Sequence, residues 1–286
     1  MIFFRPKLRT LLVLGRASNI PTVWSNVLAG WLLGDGGTSG FLLLFLTGAS
    51  LMYTGGMYLN DAFDAGFDRE FRRERPIPSG AVTEIFVWRA GWGMMALGAA
   101  FIAACGWSSA LLALLLGGSI LLYNWAHKHV TFSPVLMSLC RFFLFLGAAS
   151  TSSKGITGTV VWSGLALAGW IIGLSYIARR ESRRGAIAWW PIAPLAFPWI
   201  LAILLNDGPG QWRALVYSGL LAFWAFWCLR YSFRSQQRAI GRTVAGLLAA
   251  ICLTDLLALA PEPSLALVFI GLFVLSLVGQ RFIPAT

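Results

Sequence analysis

Three aspartates at the end of an apolar stretch are the residues whose types and spacing best suit chemistry. Asp61, Asp64 and Asp68 lie in YLNDAFDAGFDREFRRERPIPSG, residues 58–80, at positions i, i+3 and i+7. At about 100° per residue in an α-helix, their side chains point within an arc of roughly 60°, and Asn60 lies at their side. The pattern therefore predicts one face of carboxylates at the end of a helix.

This carboxylate face needs cations to be stable. A carboxylate deep in hydrocarbon costs about 2.5–3.5 kcal/mol, and neighbouring carboxylates also repel one another. In one interpretation the aspartates only pair with Arg69, Arg72, Arg73 and Arg75 in a hydrated loop. In the other they bind Mg²⁺, which prefers oxygen ligands and completes its octahedron with water and phosphate oxygens, while the arginines bind the same phosphates.

Charged residues inside other apolar stretches are the next candidates. Arg141 would lie about 12 Å inside its helix, where a guanidinium needs an anionic partner or a water-filled cavity. It is a functional candidate, with a structural ion pair as the alternative. We expect Asp255 near the outer end of its segment, as a structural or snorkelling residue, and His127 and His129 at the membrane interface.

The elements that position these residues are membrane-spanning helices. The chain has 286 residues, of which 58% are hydrophobic and only 12% charged, well below the charged share of a soluble domain. Repeated apolar runs predict an all-α, polytopic transmembrane bundle with nine or ten spans, and residues 1–286 form a single domain. The predicted spans are 17–34, 40–60, 85–105, 107–126, 132–150, 158–178, 188–205, 212–230, 243–260 and 264–281.

The net charge of +11 is explained by topology. With ten spans and a cytoplasmic N-terminus, nearly all Lys and Arg side chains fall in cytoplasmic joints, and only Lys154 and Arg213 fall outside. We therefore predict an integral membrane protein of a bacterial inner membrane that contacts membrane lipids and does not bind nucleic acid.

The acidic stretch resembles a known motif. Asn60-Asp61-x-x-Asp64-x-x-x-Asp68, followed by Arg75-Pro76-Ile77-Pro78-Ser79-Gly80, is similar to the first aspartate-rich motif of the UbiA superfamily of intramembrane prenyltransferases. The resemblance implies a helical bundle of about nine spans in two four-helix halves. It also implies transfer of a prenyl group from its diphosphate to an aromatic or other lipophilic acceptor, with Asp61, Asp64 and Asp68 as catalytic, metal-binding residues.

A second acidic motif of that superfamily is degenerate in this chain. Tyr176 matches its tyrosine, Arg180 stands where a lysine is usual, and Glu181 replaces an aspartate, with no further carboxylate. Glu181 is therefore either a metal ligand or the salt-bridged partner of the surrounding arginines. In the second case, arginines replace a second Mg²⁺ in neutralising the diphosphate.

A third stretch between the fourth and fifth spans also follows the superfamily pattern. Its Pro-x-x-Met-x-x-Cys-Arg run, together with Arg-Arg-Glu-Ser at 179–182, resembles the UbiA-like proteins of the Ebo gene clusters, called EboC. The resemblances imply a Mg²⁺ site made by Asn60, Asp61, Asp64, Asp68 and Glu181. The side chains expected to bind diphosphate are Asn26, Asn60, Arg75, Lys128, Arg141, Tyr176 and Arg180.

Two functions follow from these expectations. The first is Mg²⁺-dependent prenyl transfer from a prenyl diphosphate to a lipophilic acceptor, for which an aromatic ring is expected. The alternative is a non-catalytic UbiA-like membrane protein that binds or exports a lipophilic metabolite. The intact first motif favours the enzyme, whereas the degenerate second motif favours the alternative.

Overall fold

The computed structural model describes residues 7–179, 190–205, 210–234 and 240–285, and every regular element in these ranges is helical. A 3₁₀ turn, Ala17–Asn19, joins the first two α-helices. The α-helices are α1 (Leu8–Leu14), α2 (Ile20–Leu33), α3 (Ser39–Phe71), α4 (Glu84–Ala103), α5 (Trp107–Ala126), α6 (Ser133–Ala149), α7 (Gly158–Ala178), α8 (Ile192–Leu195), α9 (Phe197–Leu205), α10 (Gln211–Arg234), α11 (Ile240–Ala249), α12 (Ile251–Leu259) and α13 (Pro263–Phe282).

Seven candidate membrane spans are long and apolar enough to cross a bilayer within the described ranges. They are α3, α4, α5, α7, the first part of α10, the stretch Ile240–Leu259 formed by α11 and α12, and α13. The remaining apolar segments are shorter: α2 has 14 residues and α6 has 17, and α8 and α9 share the stretch Ile192–Leu205. Helices occur in all ten predicted segments, but a count of nine or ten spans is not confirmed.

Glycines bring the backbones of α3 and α4 into direct contact. A Cβ added at Gly98 would lie 2.6 Å from the carbonyl oxygen of Gly48, and one at Gly55 would lie 2.8 Å from that of Gly91. Small residues allow this close approach between helices in a membrane, where packing rather than water exclusion drives association. The seam fixes α3, the helix that carries the three aspartates.

We expect Gly98→Ala to destabilise the protein by about 1–3 kcal/mol, because the added methyl group overpacks this seam. Thermal unfolding in detergent measures the effect. Gly93→Ala is the matched control: it lies on the same helix, and nothing lies within 4 Å of the added Cβ. Equal melting temperatures for the two variants would contradict the role of the seam.

The second part of the bundle packs around α7. Trp170 of this helix is fully buried, and its indole N–H donates to the carbonyl oxygen of Leu247 in α11 at 3.0 Å. This bond satisfies the polar atom of the largest core side chain. Buried residues of α6, α7, α9, α10, α11, α12 and α13 form one apolar cluster, and a second lies among α2, α3, α4, α5 and α6. A large cavity lies among α2, α3, α5, α6 and α7.

Candidate functional site

The cavity has a volume of about 1310 Å³ and is charged in one part and apolar in another. That volume exceeds the range of roughly 300–1,000 Å³ typical of small-molecule pockets and suits a long ligand. Charged and polar groups in its wall include Arg16, Asn60, Asp64, Arg75, Lys128 and Arg141. Its apolar wall includes Val23, Leu116, Leu144, Ile171, Leu174 and Leu248. The combination suits an amphiphile with an anionic head.

Asn60 is held in one orientation at the charged end. Its side-chain Oδ1 accepts from Arg16 Nη2 at 3.2 Å, and its Nδ2 donates to Asn124 Oδ1 at 3.2 Å. Asn124 donates in turn to the carbonyl oxygen of Gly56 at 3.0 Å. Because a guanidinium can only donate, this chain of bonds turns the Asn60 oxygen toward Arg16.

Asp61 is buried between two arginines. Arg16 and Arg75 each lie 3.9 Å from its Oδ1. Arg75 begins the Arg-Pro-Ile-Pro-Ser-Gly turn, in which Ser79 N donates to the carbonyl oxygen of Arg75 at 3.0 Å and Ile77 is buried. The turn therefore folds Arg75 back onto the end of α3.

Asp64 lies in the cavity wall and pairs with the end of α5. Lys128 Nζ is 2.6 Å from Asp64 Oδ1, and His127 Nε2 is 3.4 Å from the same oxygen. Lys128 also lies over the ring of Phe67, at 4.4 Å from its centroid. His127, expected at the membrane interface, is thus a direct partner of the acidic face. The arginines of the 69–75 loop explain only part of the pairing, since Arg69 binds Glu84.

Asp68 is buried, and its Oδ1 has no hydrogen-bond partner. An unpaired buried carboxylate oxygen is costly, so this atom fits a cation ligand. Within the described ranges, no group of three or more His, Cys, Asp or Glu side chains is arranged to hold a metal by itself. The oxygen donors therefore fit Mg²⁺ shared with phosphate oxygens, the usual arrangement for this ion, better than an all-protein cage.

Arg141 lies deeper in the cavity than the aspartates. Its guanidinium faces the ring of Tyr53 at 5.8 Å, and Tyr53 precedes Asn60 by seven residues, about 10 Å along α3. Nη1 donates to Asn26 Oδ1 at 2.7 Å, and Nη2 donates to Thr22 Oγ1 at 2.9 Å. Both alternatives for Arg141 hold in part. Its guanidinium faces a cavity, and an anion binds its hydrogen-bond partner Asn26.

That anion is Asp255, which is buried in the bundle and is not a snorkelling residue. Its exposed fraction is 1%, and its Oδ2 accepts from Ser25 Oγ at 2.5 Å and from Asn26 Nδ2 at 2.7 Å. Of the two roles expected for Asp255, burial and hydrogen bonding fit the structural one and not snorkelling. Hydropathy alone could not decide between them, because it does not show which face of a helix meets the bundle. Asn26, expected to bind diphosphate, is also fully buried and does not lie in the cavity wall. It contacts Arg141 instead.

The remaining predicted residues lie in or near the second motif. Tyr176 lies in the cavity wall and packs edge-on against Trp190, at 4.4 Å between ring centroids. Arg180 and Glu181 lie outside the described residues. Their neighbour Arg179 donates to the carbonyl oxygens of Val130 at 3.0 Å and Thr131 at 2.5 Å, which ties the end of α7 to the loop after α5.

Sequence reasoning missed Arg16 as a site residue and treated it only as a topological charge. It precedes the 3₁₀ turn with a left-handed backbone, φ 42°. This conformation is uncommon outside glycine and is worth attention as a marker of a constrained site. An arginine directly before the first span was the available signal, but its partners on α3 lie 44 and 45 residues away in sequence.

Comparison with solved structures shows the same fold in three proteins. A digeranylgeranylglyceryl phosphate synthase aligns over 96% of this chain and 95% of its own, with 17% identity and a TM-score of 0.55. A UbiA homologue from Aeropyrum pernix K1 aligns over 93% and 98%, with 17% identity and a TM-score of 0.53. A UbiA homologue from Archaeoglobus fulgidus, bound to GPP and Mg²⁺, aligns over 96% and 97%, with 14% identity and a TM-score of 0.55.

Sequence comparison agrees with the fold. A digeranylgeranylglyceryl phosphate synthase of Metallosphaera sedula is 34% identical over 82 residues, which is 29% of this chain and 29% of that relative. The match thus spans less than a third of the relative's length. The model of the UbiA prenyltransferase family matches residues 19–243, which include α3, its acidic face and most residues of the cavity wall. The chain therefore belongs to the UbiA prenyltransferase family.

Proposed function

We propose that this protein transfers a prenyl group from a prenyl diphosphate to a lipophilic acceptor inside the membrane, in a Mg²⁺-dependent reaction. One observation carries the proposal: the acidic face of α3 and three cations meet at one part of a cavity whose other wall is apolar. The structure of a relative with GPP and Mg²⁺ supports the metal and the substrate class. We expect an aromatic acceptor, as the superfamily resemblance implies.

The cations of the site and its oxygen ligands would have different roles. Arg16, Arg75 and Lys128 would bind the diphosphate oxygens, while Asn60, Asp61, Asp64 and Asp68 would hold the Mg²⁺. The bound ion would stabilise the negative charge that develops on the departing diphosphate. The allylic C–O bond breaks with its electron pair going to the diphosphate. The acceptor then forms a bond to the allylic carbon and loses a proton, and no nucleophilic side chain is needed.

Aromatic side chains in the cavity wall fit the cationic character of this reaction. Tyr53, Tyr123 and Tyr176 all line the cavity. Ring faces attract cations by roughly 0.5–2 kcal/mol, more when water is excluded. The apolar part of the cavity wall would also help to keep water from capturing the allylic cation.

The proposal includes the arrangement in the membrane. We propose a single domain over residues 1–286 with nine or ten spans, a cytoplasmic N-terminus and the acidic face toward the cytoplasm of a bacterial cell. The excess of Lys and Arg in the joints near that face supports this orientation. Arg180 and Glu181 remain proposed as diphosphate and metal ligands, and the EboC subgroup remains a prediction.

A panel assay tests the function. The purified protein is incubated with prenyl diphosphates of different length and a lipid extract, and both pyrophosphate release and prenylated products are measured. We expect both signals together for at least one chain length. Prenyl diphosphate that binds but is never cleaved, with any acceptor offered, would overturn the enzyme.

The second candidate function is a non-catalytic carrier of a lipophilic metabolite. It is favoured by the pairing of Asp61 with Arg16 and Arg75 and of Asp64 with Lys128, since these contacts stabilise the aspartates without a metal. A carrier would bind a lipophilic ligand with no requirement for Mg²⁺. The panel assay separates the two, because only the enzyme releases pyrophosphate.

Arg16→Gln is expected to raise the KM for prenyl diphosphate about 10–100-fold, since it removes a charged hydrogen bond worth roughly 1.5–3 kcal/mol. The measurement is pyrophosphate release against prenyl diphosphate concentration. Arg9→Gln is the control, because it makes the same charge change on an exposed residue of α1. A KM unchanged by Arg16→Gln would remove Arg16 from the site.

A further inference from the structure

A polar cluster away from the acidic face connects α2, α6 and α12. It consists of Thr22, Ser25, Asn26, Arg141 and Asp255. All except Arg141 are at most 1% exposed, and only Arg141 reaches the cavity wall. Buried polar groups of this kind are costly unless they are fully paired, so the cluster needs a reason in the bundle.

The hydrogen bonds of the cluster run in one direction. Asp255 Oδ2 accepts from both Ser25 and Asn26, so the Asn26 amide turns its Nδ2 toward Asp255. This leaves Asn26 Oδ1 to accept from Arg141 Nη1 at 2.7 Å. Since a guanidinium has only donors, the opposite orientation of the amide would place two donors against each other. Asp255 therefore determines which atom of Asn26 faces Arg141.

The position of Arg141 separates it from the group of cations around the aspartates. Its guanidinium lies next to Tyr53, which precedes Asn60 by seven residues, about 10 Å along α3. The cations at the aspartates are Arg16, Arg75 and Lys128. The Arg141 guanidinium therefore lies deeper in the cavity than the aspartates, where the charged head of an amphiphile would bind.

We propose that Asp255, acting through Asn26, holds the guanidinium of Arg141 in a fixed orientation at the cavity wall, and that this makes Asp255 a positioning residue for prenyl transfer. The proposal rests on the proposed function. Asp255 itself does not line the cavity and touches no reacting group. Its effect reaches the cavity only through the amide of Asn26 and the guanidinium of Arg141.

Two substitutions of similar size separate orientation from mere occupancy. Asp255→Leu removes the acceptor oxygen, so the Asn26 amide is no longer anchored at its Nδ2 and Arg141 loses a fixed partner. Asp255→Asn keeps one oxygen where Ser25 and Asn26 both donate. We expect Asp255→Leu to lower kcat about tenfold or more, since small misplacements in a site cost this much. We expect Asp255→Asn to retain most of the activity, and the KM for prenyl diphosphate to stay within about threefold in both.

Side-chain NMR of ¹⁵N-arginine protein gives a readout that is independent of activity. The Arg141 signals, assigned by their loss in Arg141→Lys, are expected as resolved Nη–H resonances in the wild type and in Asp255→Asn. In Asp255→Leu they should broaden or average. Unchanged Arg141 signals in Asp255→Leu would overturn the positioning role, and mobile signals with unchanged kcat would overturn its importance for the reaction.

A charge exchange covers the case in which Asp255→Leu does not fold. Asn26→Asp alone places two carboxylates at hydrogen-bond distance and should lower kcat. Adding Asp255→Asn supplies an amide that donates to the new carboxylate on α2, which then accepts from Arg141, so kcat should recover at least tenfold. Failure of this rescue would overturn the proposal. An inactive wild type would instead overturn the proposed function, while the NMR comparison would still decide whether Asp255 orients Arg141.

Discussion

Pyrophosphate release is expected to fall about 10²–10³-fold in Asp64→Asn, with the protein still inserted and folded. Asp64 is the aspartate in the cavity wall, and Lys128 lies 2.6 Å from its Oδ1. The amide keeps the size of the side chain but deletes the charge that pairs with Lys128 and, as proposed, would hold the metal. Mg²⁺-dependent binding of prenyl diphosphate and its cleavage should therefore be lost together.

Calorimetric titration and pyrophosphate release, measured on the same preparations, check this outcome. Asp35→Asn is the matched control, since Asp35 is 62% exposed, pairs with Lys154 and precedes the opposite end of α3. Its backbone has φ 75°, a conformation that asparagine tolerates well. Full Mg²⁺-dependent binding and turnover in Asp64→Asn would exclude Asp64 as a metal ligand.

Removal of Mg²⁺ should abolish pyrophosphate release in the wild type. The carboxylates of Asp61, Asp64 and Asp68 lie beside three cations. Arg16 and Arg75 pair with Asp61, and Lys128 pairs with Asp64. These charges balance among themselves, so the charge of an incoming diphosphate needs a further cation. A divalent ion held by the aspartates would supply it.

The measurement is turnover in chelator, followed by titration of Mg²⁺ back into the same sample. Activity should return with added Mg²⁺. Ca²⁺ carries the same charge but accepts looser, larger coordination, so it should restore binding better than turnover. Undiminished turnover in chelator would show that arginines alone neutralise the diphosphate, and the metal would then have to be withdrawn from the mechanism.

The local part of the site could be predicted from the sequence. Asp61, Asp64 and Asp68 lie on one continuous helix, as their spacing predicts, because helical periodicity depends only on neighbouring residues. The all-helical bundle and the family were also predictable, since both depend on long apolar runs and on one contiguous motif. The match of the family model and the three solved structures confirm them.

The partners of these residues could not be predicted. Asn60 contacts Arg16 and Asn124, which lie 44 and 64 residues away, and Asp255 contacts Asn26 at a separation of 229. Such pairs depend on which helices pack side by side, and a single sequence with apolar residues all around its helices does not show this. The same limit explains why the sequence left both a structural and a snorkelling role open for Asp255.

The number of spans stays a prediction for a related reason. The segment predicted at 17–34 begins with a 3₁₀ turn at Ala17–Asn19, and the helix that follows has only 14 residues. Part of that helix is buried against protein rather than lipid: Val23, Val27 and Ala29 are fully buried. A hydropathy window adds up apolar residues and does not distinguish these two surroundings.

The length of α3 determines how deep in the membrane an anionic ligand of the acidic face would lie. With 33 residues at 1.5 Å each, α3 is about 50 Å long, and even at a tilt of about 40° it covers about 38 Å, against a hydrocarbon thickness of roughly 30 Å. The end of α3 therefore reaches the headgroup layer, with Asp68 three residues before its last residue, Phe71, and Asp64 and Asp61 about one and two turns further in. Under the proposed function, a lipid diphosphate would enter from the surrounding leaflet with its charge close to the polar boundary, while its chain moves sideways between the helices.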